Sequence, residues 1–313
     1  MVIGKHLIEE AAARVGSRVR FTPTIEIERG ALDNDAPITL KLELLQHTGS
    51  FKPRGAFNRI LASVVPNAGV IAASGGNHGA AVAYAARVLG HRAEIYVPEP
   101  TPALKLKRLA QYGANVVAVG ASYAEAFTAS QQRAEQSGAL AVHAYDQEEV
   151  VAGQGTVGRE LERQAPDLDT VFVAVGGGGL IGGIAAWYAR RARVLGVEPE
   201  SCPTLARALD AGRPVDVAVS GLAADSLGAR RIGDIAFSIA QRYVERVILV
   251  SDEEILAAQR LLWDRVRMLA EPGGAAALAG MLSGRYGARG GERVGVVVCG
   301  GNVDPSGFRS TYD

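Results

Sequence analysis

The chain has 313 residues, 48% of them hydrophobic and 21% charged, with 33 lysines plus arginines against 33 aspartates plus glutamates. That composition describes a folded protein rather than a disordered one, and a net charge of zero excludes a field that would gather nucleic acid or an anionic membrane. Only Cys202 and Cys299 carry thiols, too few for a disulfide framework; with no apolar leader in the first ten residues and no run near the ~18 apolar residues that span a bilayer, the chain reads as cytoplasmic.

Short β-branched runs alternate with alanine-rich amphipathic stretches along most of the chain. The pattern predicts strands at 39–44 and 70–73, a helix over 79–89 stopped by Gly90, and a strand at 93–97. A helix follows over 102–112, with Pro102 in its first turn and Gly113 past its end. Its basic run Lys105-Leu106-Lys107-Arg108 reads as a solvated face. Next come a strand at 116–119, a helix over 123–136 and a strand at 139–143. The rhythm resumes with strand 171–175, helix 180–190, and strands 194–197 and 247–250. Ser251 and Glu254 form a capping box at the start of a long helix, and 294–298 is a last apolar strand. Such alternation implies an α/β fold with mostly parallel sheets covered by helices. Two series, 67–147 and 148–313, suggest two lobes.

Glycine is abundant, 38 residues, and it gathers where strands end, which is where open α/β sheets bind ligands. Four segments stand out. In Ser50-Phe51-Lys52-Pro53-Arg54-Gly55-Ala56, Lys52 fits either a surface lysine entering a helix or a desolvated amine that attacks carbonyls. In Ser74-Gly75-Gly76-Asn77-His78-Gly79, free amides at a helix start suit an anion; a plain glycine turn capped by Asn77 fits as well. Gly176-Gly177-Gly178-Gly179 can wrap a phosphate because no Cβ intervenes. A dinucleotide loop is its rival, with Glu198 near the acidic spacing that fingerprint uses. Cys299, opening Cys299-Gly300-Gly301-Asn302-Val303-Asp304, is either a residue facing a ligand heteroatom or a small buried hydrophobe.

Occurring jointly and in this order, from about Phe21 to Asp304, these segments resemble fold-type II pyridoxal-phosphate enzymes, the threonine/serine dehydratase and serine racemase branch. The resemblance implies a two-lobed, tryptophan synthase β-like fold: residues 1–66 and 148–313 form a large cofactor-binding domain, and 67–147 a small substrate-loop domain. It implies that Lys52 is the Schiff-base lysine to pyridoxal 5'-phosphate and that Phe51 packs on the ring. Asn77 matches the residue that hydrogen-bonds the ring hydroxyl oxygen. Ser74, Gly75, Gly76, Asn77 and His78 match the substrate-carboxylate loop, and Gly176, Gly177, Gly178 and Gly179 the phosphate loop. Cys299 matches the residue facing the pyridine nitrogen, usually serine. Glu271 matches an acidic position near the cofactor, and equally a charge at a helix end. Asp225 lies in a glycine-bounded loop resembling one near the family site.

The expected reaction is elimination of water from L-threonine or L-serine, then release of a 2-oxo acid and ammonia. A thiol is a weak donor, so a neutral ring that favours elimination over transamination is expected. Racemases carry a second serine where this chain has Gly75, so racemisation should be weak. They also hold a divalent cation through a glutamate, matched by Glu198, and an aspartate, replaced here by Thr204, so no metal is expected. The sulfhydrylase pattern is absent. Alternatives are a dehydratase of hydroxyaspartate or another 3-hydroxy amino acid, with Arg54, Arg230 and Arg231 as candidate partners for a second carboxylate, a serine racemase, or a non-catalytic binding protein of the same fold. A chain ending at Asp313 is expected to lack a regulatory domain, and a homodimer or homotetramer is expected.

Overall fold

The computed structural model describes residues 3–287 and 289–305, so the outermost ends of the expected large domain lie outside the described residues. In chain order its strands are β1 (Thr24–Ile27), β2 (Ile38–Leu42), β3 (Val70–Ala73), β4 (Ala93–Val97), β5 (Asn115–Ala118), β6 (Leu140–Ala141), β7 (Thr170–Ala174), β8 (Arg193–Pro199), β9 (Val244–Val250) and β10 (Val294–Val298). They form a six-stranded sheet, β1-β2-β10-β7-β8-β9, and a four-stranded sheet, β5-β4-β3-β6. Apart from the antiparallel β1–β2 pair, every pairing of these strands is parallel. Parallel strands need crossovers, and helices on both faces bury the sheet. Accordingly β7 (TVFVA) and β10 (VGVVV) are buried at every position.

The smaller sheet takes β3 to β6, and the larger takes strands from both sides of that stretch. The glycine-rich segments therefore come together although they are far apart in sequence: each follows the carboxyl end of a parallel strand. The expected helix over 79–89 begins earlier, at Asn77, and runs to Val88. The capping box is present, with Ser251 Oγ accepting from the Glu254 amide and the Glu254 carboxylate accepting from the Ser251 amide.

Two expectations need correction. The strand expected at 139–143 is only the two-residue β6. Beyond it, the His143 amide turns to Gln147 Oε1 at 2.9 Å, and His143 Nδ1 accepts from the Asp146 amide at 3.0 Å. These side chains satisfy the local backbone and pull it out of the ladder. The strand expected to reach Leu44 ends at Leu42 and passes into a 3-10 turn, Glu43–Leu45. Several helices have no counterpart in the elements expected from sequence, among them Lys5–Val15, Thr204–Ala211, Asp234–Tyr243 and Pro272–Leu282. The longest of them, Glu148–Gln164, packs its small residues against the helix Gly179–Tyr188, where a Cβ on Gly158 would sit 3.3 Å from Trp187.

Candidate active site

Lys52 immediately precedes the helix Pro53–Leu61, which begins at Pro53, where the missing N–H costs nothing. The residue after Pro53 is the anchor. Arg54 is fully buried and grips Glu43 (Nε to Oε2 2.7 Å, Nη2 to Oε1 2.8 Å) and Glu160 (Nη1 to Oε1 2.7 Å, Nη2 to Oε2 2.8 Å). Lys41, also buried, adds a 2.9 Å bond to Glu160. Both carboxylates are thus paired and hydrogen-bonded, as buried charges require. This corrects the suggestion that Arg54 could receive a substrate carboxylate: it faces the interior and is fully engaged. Arg231 pairs with Asp216 at 3.6 Å.

The Lys52 side chain runs the other way. Nζ lies 5.1 Å from the Phe51 ring centroid and donates to the main-chain oxygen of Ala144 at 2.9 Å. Burial lowers its pKa to about 8, against the opposing pull of Cys299 and Glu271. An amine with that pKa is about one-tenth unprotonated, and so nucleophilic, at neutrality, a fraction more than about 100-fold above that of an ordinary lysine near 10.4. The surface-lysine alternative does not describe this side chain.

Ala144 ties the lysine to the tetraglycine. Its neighbour Tyr145 covers the loop: a Cβ on Gly177 would overlap the Tyr145 ring, and one on Gly179 would lie 3.2 Å from the Tyr145 backbone. Gly178 has φ +90°, and a Cβ there would come within 2.6 Å of Ile232 and Ala236. The loop runs into the helix Gly179–Tyr188, whose start has no side-chain cap. Exposed amides at a helix start, with glycine giving close approach, suit an anion such as phosphate.

Cys299 follows β10 and is buried. Burial drives its thiol well above the ordinary range, helped by the nearby Glu271, so it stays neutral; Sγ contacts the Gly273 oxygen at 3.3 Å. The segment is stitched to the one bearing Lys52, with Phe51 N donating to the Cys299 oxygen at 3.2 Å and Ser50 bridged to Gly300. Ser50 Oγ is buried without a hydrogen-bond partner, an orphan polar atom beside the lysine.

From the smaller sheet, Asn77 reaches across. Its Nδ2 donates to Glu271 Oε1 at 2.6 Å and its Oδ1 accepts from Asn302 Nδ2 at 2.6 Å. Burial raises the Glu271 carboxyl to about 7, although Asn77 and Arg108 oppose it. Glu271 also precedes the helix Pro272–Leu282 without capping it through its side chain, so its contact with Asn77 distinguishes it from a simple charge at a helix end. Ser74, Gly75 and Gly76 form the turn after β3, with the Gly76 amide on Ser74 Oγ at 3.2 Å. His78 is buried and faces away from the turn, its Nε2 2.9 Å from the Val142 oxygen. Burial, and then the Lys52 charge, lower its pKa to about 3. A carbonyl only accepts, so the neutral ring carries its proton on Nε2. The imidazole pins the turn to the chain just past β6, and only the main chain of His78 is free to serve it. Asp225, expected in a loop, lies in the short helix Ala224–Leu227 and is bridged to Lys105.

Glu198, at the carboxyl end of β8, spends its carboxylate on a helix start. Oε1 accepts from Leu205 N at 2.6 Å and Oε2 from Ala206 N at 2.9 Å. Thr204 donates to the Ala229 oxygen at 2.7 Å. Among the described residues no group of three or more His, Cys, Asp or Glu side chains suits a metal ion.

The residues missed in sequence are Ala144, Tyr145 and Asn302. The first two act through a main-chain oxygen and a covering ring, which leave no motif; Asn302 stands within a glycine-rich motif that assigns it no role.

A family model described as pyridoxal-phosphate dependent enzyme matches residues 15–300. The chain is 40% identical to an L-threonine ammonia-lyase of Geobacter sulfurreducens over 304 residues, covering 95% of this chain and 75% of that one. Maize serine racemase superposes with a TM-score of 0.92 at 33% identity, covering 98% of this chain and 95% of that one. A T.th. threonine deaminase crystal structure gives 0.89 at 37% identity, covering 96% and 99%. The chain therefore belongs to the pyridoxal-phosphate dependent enzymes of fold type II, the family its motifs resemble, and pyridoxal phosphate is its cofactor.

Proposed function

We propose that the chain is an ammonia-lyase that removes water from L-threonine or L-serine and releases a 2-oxo acid and ammonia. One observation carries the reading: a desolvated Lys52 amine lies by the Phe51 ring and donates to the Ala144 oxygen, whose neighbour Tyr145 packs on a tetraglycine loop suited to an anion. The relatives named for threonine deamination align with nearly all of this chain.

The residues present fit the cofactor. Lys52 would hold it covalently, Phe51 would cover one ring face, and Gly176, Gly177, Gly178 and Gly179 would take its phosphate. Asn77 would donate to the ring oxygen, with Glu271 behind it, and Cys299 would face the ring nitrogen. When bound, the cofactor supplies the electron sink that stabilises negative charge at Cα. The protein does the rest. Ser74 and the main chain of Gly75, Gly76, Asn77 and His78 orient the substrate carboxylate. The Lys52 amine, when free, would be the base that takes the Cα proton. Its lowered pKa suits that work near neutrality.

Racemisation needs a second proton carrier on the opposite face. Gly75 has none, and Thr101 Oγ1, 3.8 Å from where a Cβ on Gly75 would stand, donates to the Pro98 oxygen at 2.6 Å. Elimination is therefore favoured over racemisation. With Arg54 engaged, a hydroxyaspartate substrate would have to find its second cation elsewhere. The small sheet, residues 67–147, would act as the substrate-loop domain on the cofactor-binding remainder, residues 1–66 and 148–313. No helix among the described residues is long and apolar enough to cross a membrane; a cytoplasmic homodimer or homotetramer is the form expected.

The test is a steady-state assay of 2-oxo acid and ammonia from L-threonine, L-serine, D-serine and both hydroxyaspartate diastereomers. Turnover of L-threonine or L-serine supports the reading. A protein that binds the cofactor and turns over none of them would overturn the reading, in favour of another 3-hydroxy amino acid substrate or a binding protein.

A further inference from the structure

We infer that Asn302 is a positioning residue that sets which side-chain atom Asn77 turns toward the cofactor ring. The inference rests on the cofactor site proposed above and concerns a residue to which that reading gives no part.

The argument starts from a backbone oxygen. The main-chain oxygen of Thr48 accepts from Asn302 Nδ2 at 2.8 Å and from Arg108 Nη2 at 2.6 Å. A carbonyl cannot donate, so the atom Asn302 shows it must be the amide nitrogen. The second hydrogen of that nitrogen reaches Asn77, 2.6 Å away. The Asn77 atom on that side must then be its oxygen. Nδ2 of Asn77 is left on the opposite side, where it gives one hydrogen to Glu271 Oε1 at 2.6 Å. Its other N–H has no protein acceptor among the described residues. Asn77 is thereby held as a donor, the form that a ring oxygen bearing negative charge requires.

Glu271 alone cannot impose this. Burial raises its carboxyl to about 7, so near neutrality it is protonated about half the time and can donate as well as accept. Thr48 has no such ambiguity. The Asn302 side chain is in turn wedged in place, because a Cβ on Gly49 would overlap its Oδ1, and Gly49 adopts φ +74°. The Gly301 amide holds the Gly49 oxygen at 2.9 Å. The orientation of Asn77, at the start of the helix that follows β3, is thus dictated by the segment that leads into Lys52.

The experiment is a double-mutant cycle on cofactor affinity. Apoproteins of wild type, Asn302→Asp, Asn77→Ala and the double variant are titrated with pyridoxal phosphate, and the dissociation constant is read from the visible absorption band. The carboxylate introduced by Asn302→Asp has no hydrogen to give, so Asn77 turns its nitrogen toward it and presents its oxygen to the ring. We expect Asn302→Asp to weaken binding by roughly 10-fold to 100-fold, the scale of a lost charge-assisted hydrogen bond. In the Asn77→Ala background the same change should cost less than about twofold. Thermal midpoints of the apoproteins, free of any cofactor effect, separate a loss of stability from a loss of cofactor contact. If Asn302→Asp fails to fold, Asn302→Ala enters the same cycle, with a smaller expected loss that again disappears without the Asn77 amide. Equal penalties in both backgrounds, or no penalty in either, overturn the inference while the cofactor site stands. A wild-type apoprotein that takes up no cofactor overturns both.

Discussion

Lys52 Nζ and the main-chain oxygen of Ala144 lie 2.9 Å apart, though 92 residues separate them in the chain. The contact places the amine where the chain beyond β6 passes the tetraglycine loop, because Tyr145 follows Ala144 and packs on Gly177 and Gly179. A carbonyl oxygen holds an amine without neutralising it, so burial still governs the lysine pKa. The amine is therefore both positioned and close to its reactive form.

The pH dependence of cofactor loading tests that state. A folded pKa lowered to about 8 means that the reactive amine fraction grows about tenfold per pH unit below 8 and levels off above it. Loading rates of the apoprotein, followed by the visible band from about pH 6 to pH 10, should bend near 8. A rate that keeps rising to the ordinary lysine value near 10.4 would show that the amine is not desolvated.

Arg54 should be structural and costly to remove. Arg54→Met leaves Glu43 and Glu160 buried beside a lost partner, with Lys41 still bonded to Glu160. Breaking a buried pair from one side costs about 3–5 kcal/mol. Urea denaturation of the two apoproteins measures it, and a loss below about 1 kcal/mol would mean that the carboxylates are better solvated than the structure indicates.

The neutral thiol at residue 299 should favour elimination. Cys299→Ser keeps a neutral group, and its turnover should stay within about threefold of wild type. Cys299→Asp would place a second carboxylate in the pocket that already raises Glu271 to about 7, and turnover should fall by about 100-fold or more. Steady-state assays of both variants decide it; equal rates would show that this position does not influence the ring.

What a sequence conveys depends on whether an interaction is local. Glycines at strand ends, the Ser251–Glu254 box and the Phe51-Lys52-Pro53 setting are short-range patterns with physical causes, and they point to the architecture and to the lysine. Long-range burial leaves no such mark. Arg54 looks free to meet a substrate because nothing in its neighbourhood announces Glu160, 106 residues away. His78 looks like a ligand, yet its ring serves the Val142 oxygen. The helix Glu148–Gln164 is hard to read because Gly153, Gly155 and Gly158 lower helix propensity, while those same residues give it close contact with its neighbours. The strand expected at 139–143 is cut short by side chains of His143 and Gln147 that compete with the ladder.

The most direct measurement is chemical. Borohydride reduction of the cofactor-loaded protein, followed by proteolysis and mass mapping, should leave the reduced cofactor on the peptide containing Lys52 and on no other, with activity lost in proportion. Cofactor fixed to a different lysine, or an active protein with none fixed at Lys52, would contradict the assignment of this amine to the chemistry.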